Sequence, residues 1–68
     1  MTVMFEDGDY ILAYDWDMSV CLYCVAGVDG DVLRCNKTCY RDGQLAPKID
    51  EAPHLINKRR IIKKIVGV

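Results

Sequence analysis

Residues 20–39, VCLYCVAGVDGDVLRCNKTC, decide how the rest of this chain folds. Two β-prone runs flank Asp29 and Gly30. An Asp-Gly pair between such runs is a strong signal for a β-hairpin, because both residues tolerate positive φ. The same stretch contains all four cysteines of the chain. The sequence therefore predicts two paired strands, over about residues 19–28 and 31–37, with the cysteines distributed along them.

Two further Asp-Gly pairs, at residues 7–8 and 42–43, repeat the turn signal. Together the turns predict a mainly β fold, a small antiparallel β-meander. Residues 44–55 contain two prolines and are interpreted as a loop or edge segment. The tail, residues 57–68, has the β-branched content of a strand but also the spacing of a short amphipathic helix. We favour the strand, and a β-rich α+β fold is the alternative.

The first hairpin has a register that can be read from its two-residue loop. Phe5 then faces Tyr10, and Val3 faces Leu12. Alternation usually marks a half-buried strand, so the face with more aromatic side chains is predicted to be the core. This face comprises Val3, Phe5, Tyr10, Leu12, Tyr14 and Trp16, and the reverse face carries Ile11, Ala13, Asp15 and Asp17.

The length of 68 residues predicts one domain, residues 1–68, with an acidic meander over about 1–41 and a basic segment over about 54–68. Hydrophobic residues make up 51% of the chain, which favours a compact fold over disorder. The first residues lack the pattern of a signal peptide, and the nine-residue apolar run 20–28 is far shorter than the roughly 20 residues that span a bilayer. We expect a cytoplasmic protein without membrane contact and with reduced thiols.

Charge is divided unevenly along the chain. Residues 1–33 contain seven acids and no Lys or Arg, giving −7, whereas residues 34–68 contain nine bases and three acids, giving +6. The formal net charge of −1 therefore conceals a strong dipole along the sequence. Segregation of this kind is informative about partners and association, not about the fold.

The acidic half predicts a surface that binds a partner protein. In a meander, the turns at residues 7–8 and 29–30 lie at the same end of the sheet. The predicted partner-binding residues are Glu6, Asp7, Asp9, Asp29 and Asp31 at that end, and Asp15 and Asp17 at the other. Carboxylates spaced along strands can imitate a row of phosphates. The pattern thus predicts a non-catalytic inhibitor that engages a basic, nucleic-acid-binding protein and blocks its DNA site.

The basic segment supports an alternative interpretation. Its cluster consists of Lys58, Arg59, Arg60, Lys63 and Lys64. Such bases can neutralise phosphates, so the alternative is a small zinc-stapled module that binds nucleic acid directly. Opposite charges within one chain also suit a homodimer, in which the tail of one copy lies against the sheet of the other.

The four cysteines follow the spacing C-x2-C-x10-C-x3-C, which is similar to that of zinc-ribbon sites. One structural Zn²⁺ held by Cys21, Cys24, Cys35 and Cys39 would stabilise a small core. The hairpin register argues against a site built from all four cysteines. It places Cys24 opposite Cys35, with Cys39 on the same face and Cys21 on the other. Buried free thiols without any cofactor, one zinc ion and disulfides all remain open, and disulfides are the least favoured in a reducing compartment.

The sequence contains no recognisable catalytic set. His54, the single histidine, is interpreted as a solvated residue in a loop next to a proline. No Ser-His-Asp set, phosphate-binding loop or metalloprotease motif is present. Asp15 and Asp17 are interpreted as surface acids, because no apolar pocket is evident that would perturb them. We therefore predict that the protein is not an enzyme.

In its size, its lack of catalytic residues and its acidic half, the chain resembles small phage-encoded host-takeover proteins, including inhibitors that mimic DNA. The resemblance covers the general character of the chain and no particular motif. It implies binding to a nucleic-acid-binding protein in the host cytoplasm and occlusion of that protein's DNA site. The basic tail departs from the uniformly acidic pattern of many such mimics.

Overall fold

Six strands and one 3-10 turn form the fold in a computed structural model that describes residues 4–49 and 52–65. The strands are β1 (Tyr10–Tyr14), β2 (Val20–Asp29), β3 (Val32–Arg41), β4 (Gln44–Pro47), β5 (His54–Asn57) and β6 (Ile61–Ile65), and the 3-10 turn η1 (Lys58–Arg60) lies between the last two. All strand pairings are antiparallel. The mainly β prediction is confirmed, and the described part of the tail is a 3-10 turn and a strand.

The sheet follows the order β4-β3-β2-β1-β6, and β5 pairs with β3 as well. The first half of β3 pairs with β5 and its second half pairs with β4. A path therefore runs from β5 through β3, β2 and β1 to β6, and η1 joins the two ends of this path directly. The C-terminal segment thus connects both edges of the meander.

This connection is too short for a flat sheet. Four strand spacings separate β5 from β6 along the path, which is about 19 Å in a flat sheet. Asn57 and Ile61 are four peptide units apart, which span at most about 14 Å when extended and about 8 Å in 3-10 geometry. The sheet must therefore curl until its edges meet, and it encloses one face as the core.

The enclosed face is the one that carries Ile11 and Ala13, both fully buried. The core cluster consists of Ile11, Ala13, Tyr23, Val25, Leu33, Cys35 and Ile56, and Phe5, Cys21 and Ile61 pack against it. The prediction that Leu12, Tyr14 and Trp16 form the core face is wrong. Tyr14 is 38% exposed and Trp16 is 84% exposed. Both faces of β1 carry apolar residues, so the alternation in β1 identifies the two faces without showing which one the sheet encloses.

The predicted pairing of Phe5 with Tyr10 is wrong as well. A strand has two edges, and both edges of β1 are occupied, one by β2 and the other by β6. The turn at residues 7–8 does form, but it is bound to β2: the Gly8 amide donates to the Val25 carbonyl at 2.8 Å. Phe5 still reaches the core, from a segment outside the sheet. The predicted partner of Leu12, Val3, lies outside the described residues.

The β2–β3 hairpin forms with a loop displaced by one residue. Asp29 pairs with Val32, so the two central residues are Gly30 and Asp31. Gly30 has a φ of +63° and takes the first central position, where a II′-type turn requires a glycine.

A β-bulge then shifts the pairing between Val25 and Gly27. As a result Cys35 pairs with Val25, and Cys24 pairs with Asn36. The prediction that Cys24 lies opposite Cys35 is therefore wrong, and the two thiols lie on opposite faces of the sheet. A bulge adds one residue to one strand, and every side chain beyond it changes face.

The segment interpreted as a loop or edge, residues 44–55, contains the edge strand β4 and the start of β5. The third Asp-Gly turn forms as predicted, with positive φ at Asp42 and Gly43, and it leads into the edge strand β4. The hydroxyl of Tyr10 donates to the Leu45 carbonyl at 3.3 Å, so the β3–β4 hairpin reaches the outer face of β1. This contact lies beside Cys24, which pairs with Tyr10 and is only 7% exposed.

Replacement of Ile11 by Val tests which face of β1 is buried. We expect Ile11→Val to lower the free energy of unfolding by about 1 kcal/mol, because it removes a buried methyl group. The matched control is Ile62→Val, at a position that is 43% exposed, and we expect a change below about 0.5 kcal/mol. Urea unfolding followed by circular dichroism measures both. Equal effects of the two substitutions would contradict the assignment of the core face.

Candidate functional site

The first acidic turn, residues 6–9, is fixed by its own side chains. The Asp9 carboxylate accepts the Glu6 amide at 2.8 Å and lies 3.2 Å from the Lys64 ammonium group. The amide of Val25 donates to the Asp9 carbonyl at 2.7 Å, which attaches the turn to β2. Glu6 and Asp7 are exposed, and neither forms an ion pair with another described residue.

The second acidic turn contains Asp29 and Asp31, both exposed. Both acidic turns lie toward the C-terminal end of β2, but Asp29 is four residues beyond Val25, which is about 13 Å along a strand. The Asp31 carbonyl accepts the Lys58 amide at 2.9 Å. The structure thus places the start of the basic η1 against the second acidic turn.

The remaining predicted acids belong to the turn of residues 15–19, here called the tryptophan turn. The Asp15 amide donates to the Ser19 carbonyl at 2.8 Å, and the Asp15 carboxylate accepts the Trp16 amide at 2.8 Å. Asp15 also lies 3.7 Å from the ammonium group of Lys37. Hydrogen bonds from the hydroxyl and amide of Ser19 lower the pKa of Asp17. Both carboxylates therefore organise the turn locally.

Three of the five predicted basic residues form η1, and the other two lie in β6. Arg59 and Lys63 are exposed, and Lys58 and Arg60 are partly buried. Lys64 bonds Asp9 and also donates to the Met4 carbonyl at 3.0 Å. Because β6 pairs with β1, the basic segment packs beside the acidic meander of the same chain. The prediction of a homodimer built from tail and sheet stays untested.

Sequence reasoning missed the exposure of Trp16. Its indole is 84% exposed, and the guanidinium carbon of Arg60 lies 4.7 Å from the ring centroid. The neighbouring apolar side chains of Tyr14, Met18 and Val20 are also exposed. The sequence does contain a signal for this exposure. Acids flank Trp16 on both sides, and the residues after it, DMS, form a turn. A tryptophan in such a turn has no strand neighbours to cover it.

The cysteines are free and occupy different environments. Cys35 is fully buried in the core and Cys24 is nearly buried on the other face, whereas Cys21 and Cys39 are partly exposed. Burial raises the pKa of the Cys35 thiol to about 11, and burial also raises the pKa of Cys24. Within residues 4–49 and 52–65, no group of three or more His, Cys, Asp or Glu side chains is placed to hold a metal ion. The zinc site stays a prediction.

The core contains one side-chain oxygen without a nitrogen or oxygen hydrogen-bond partner among the described residues, the hydroxyl oxygen of Tyr23, which has the Cys21 thiol as its neighbour. Burial raises the pKa of Tyr23, and the negative charge of Asp15 adds to the shift. The His54 ring lies 5.7 Å from the Tyr23 ring, between centroids. The interpretation of His54 as a solvated loop residue is therefore wrong, because it is a partly buried residue of β5 paired with Cys35.

Comparison with known proteins gave no relatives. No protein-family model matches the chain, and neither a curated protein nor a solved structure matches it. Among the described residues there is no helix with the length and apolar character needed to cross a membrane.

Alkylation of the thiols tests their environments. We expect iodoacetamide at pH 8 to label Cys21 and Cys39 at least about tenfold faster than Cys35, because only the thiolate reacts and a pKa near 11 leaves little thiolate at Cys35. Raising the pH toward 11 should increase the labelling of Cys35. Peptide mapping by mass spectrometry gives the rates, with the urea-unfolded chain as the control in which all four thiols react alike. Rapid labelling of Cys35 in the folded protein would contradict this burial.

Native mass spectrometry of the same preparation tests the zinc prediction. A mass one zinc ion above that of the chain would support it. The mass of the chain alone, in protein purified without chelator, would count against it.

The hydroxyl of Tyr23 is expected to contribute nothing to stability. Tyr23→Phe should leave the free energy of unfolding unchanged within about 0.5 kcal/mol or increase it, because it removes a buried polar atom that lacks a nitrogen or oxygen partner. Tyr10→Phe is the matched control and should cost about 1 kcal/mol, since it removes the bond to Leu45. Urea unfolding of both variants gives the comparison. A larger loss for Tyr23→Phe would reveal a bound water or another partner for this hydroxyl.

Proposed function

We propose that this chain is a non-catalytic binding protein that engages a basic, nucleic-acid-binding partner protein and blocks the partner's nucleic-acid site. The observation that carries the proposal is the exposure of four carboxylates that lack an ion-pair partner, here called the acidic set. The acidic set consists of Glu6, Asp7, Asp29 and Asp31. All four are exposed, and none forms an ion pair within the described parts of the chain.

The backbone around the acidic set is well ordered by hydrogen bonds. The first turn is bonded to β2 through Gly8 and Val25, and the second turn is bonded to η1 through Asp31 and Lys58. Acids held on short turns lose little further backbone freedom when a partner binds, which favours affinity. Lys and Arg side chains that bind phosphate also bind carboxylate. A surface that binds nucleic acid would therefore accept these turns.

The other three predicted acids, Asp9, Asp15 and Asp17, are proposed to organise turns and not to contact the partner directly. Asp9 and Asp15 are each close to a lysine of the same chain, and exposed pairs of this type contribute about 0–1 kcal/mol to stability. Asp9 fixes the first acidic turn, and Asp15 fixes the tryptophan turn. Asp17 is bonded to Ser19 and adds negative charge at the tryptophan turn.

Isosteric neutralisation tests the proposal without disturbing the turns. The variant combines Glu6→Gln, Asp7→Asn, Asp29→Asn and Asp31→Asn, because Asn keeps the turn chemistry of Asp. Four interface charges at about 0.5–1 kcal/mol each predict an affinity loss of about 30-fold or more. The measurement begins with salt-eluted capture from a bacterial lysate and continues with the purified partner. Displacement of a labelled DNA duplex from that partner is then titrated with the wild-type chain and with the variant.

Asp42→Asn is the matched control, since Asp42 is exposed in the third Asp-Gly turn and Asn tolerates its φ of +55°. It should displace DNA as well as the wild-type chain does. The proposal fails if the fourfold variant displaces DNA as efficiently as Asp42→Asn, or if no basic protein is retained at low salt.

A further inference from the structure

The tryptophan turn presents the largest aromatic ring of the chain to solvent. Trp16 is the only tryptophan, and its ring is 84% exposed. Arg60 lies over the ring at 4.7 Å from its centroid, within the range of a cation–π contact. A large exposed aromatic side chain held beside an arginine is typical of binding surfaces.

The position of the ring is set by the backbone. Met18 has a φ of +68°, an unfavourable left-handed conformation for a methionine, and its amide donates to the Asp15 carbonyl at 2.9 Å. The Trp16 amide is bonded to the Asp15 carboxylate. The turn therefore holds the indole outside the core instead of allowing it to fold inward.

Arg60, the cation at this ring, belongs to a basic run on η1 and β6. The basic set consists of Lys58, Arg59, Arg60 and Lys63, and none of these four forms an ion pair with any residue that the structure describes. The Asn57 side chain accepts the Arg59 amide at 3.1 Å and caps η1, so three of the four cations are held on an ordered turn. Of the two acids next to Trp16, Asp15 is paired with Lys37, whereas Asp17 is bonded to Ser19 and keeps its negative charge.

An aromatic face beside unpaired cations matches one class of ligand. The basic set itself offers nothing that attracts a basic protein, and a duplex keeps its base faces stacked inside. An unpaired strand offers both free base faces and phosphates, and base–aromatic stacking with cations along the backbone is the usual mode for such ligands. We infer that Trp16 is a stacking platform for single-stranded nucleic acid, with a base on the ring face that Arg60 leaves free and with phosphates on Arg59 and Lys63.

This site uses other side chains than the acidic set, to which it is joined by the backbone bond from Lys58 to Asp31, and it does not depend on the function proposed above. A chain with both sites could bind a nucleic-acid-binding protein and a nearby unpaired strand at the same time. The two proposals use different residues, so separate variants distinguish their failures.

The test is binding of a fluorescein-labelled 15-nucleotide oligo(dT), followed by anisotropy at 20 mM and 200 mM salt. We expect Trp16→Ala to weaken binding by about tenfold or more, which is the usual effect of losing one stacked base. The matched control is Tyr40→Ala, which removes an aromatic side chain that is 78% exposed elsewhere on the sheet and should leave affinity unchanged. The double variant Arg59→Glu, Lys63→Glu should abolish the salt dependence, whose logarithmic slope we expect near −1.4 for two phosphates.

Intrinsic fluorescence gives a second readout that does not require a variant. Because Trp16 is the only tryptophan, stacking of a base on its ring should quench the emission of the wild-type chain. The fourfold acidic-set variant should bind oligo(dT) at least as tightly as the wild-type chain. The inference is overturned if oligo(dT) does not bind at 20 mM salt, if a duplex binds more tightly, if Trp16→Ala and Tyr40→Ala behave alike, or if Trp16 is required only for capture of a protein.

Discussion

The short connection between β5 and β6 is the constraint on which the rest of the structure depends. Three residues of η1 cannot reach across an open sheet, so β5 can pair with β3 and β6 with β1 only if the sheet curls. Curling decides which side of β1 becomes the interior, and it buries Ile11 and Ala13 while Tyr14 stays outside. It also brings the end of η1 onto the tryptophan turn, where Arg60 meets Trp16.

The local features of this fold are readable from the sequence, and the long-range ones are not. Asp-Gly pairs identify the turns because glycine supplies a positive φ, and β-branched residues identify the tail as a strand. The choice of core face in YILAY depends on the closure by β6, which no local pattern shows. The bulge next to Gly27 changes the pairing of Cys35 by a shift that spacing alone does not reveal. The turn that exposes Trp16 could have been recognised from its flanking acids.

The charges illustrate the same division between local and long-range information. Composition identifies every acid and base that could bind a partner, but pairing depends on which strands become neighbours. One of the two antiparallel neighbours of β1 is the basic β6, so Asp9 lies beside Lys64 although the two are far apart in the sequence. The fold thereby brings the two oppositely charged halves together. Glu6, Asp7, Asp29 and Asp31 remain outside this compensation because they lie in or beside turns, where no described basic side chain forms an ion pair with them.

The pairing of β1 with β6 also has a kinetic consequence. The β2–β3 hairpin joins neighbouring segments, whereas Tyr10 must find Ile65 across most of the chain, and closing such a long loop is entropically costly and slow. Until β6 docks, one edge of β1 is open to another molecule. At high protein concentration during refolding, two chains can exchange their last strands and form a domain-swapped dimer with the contacts of the monomer.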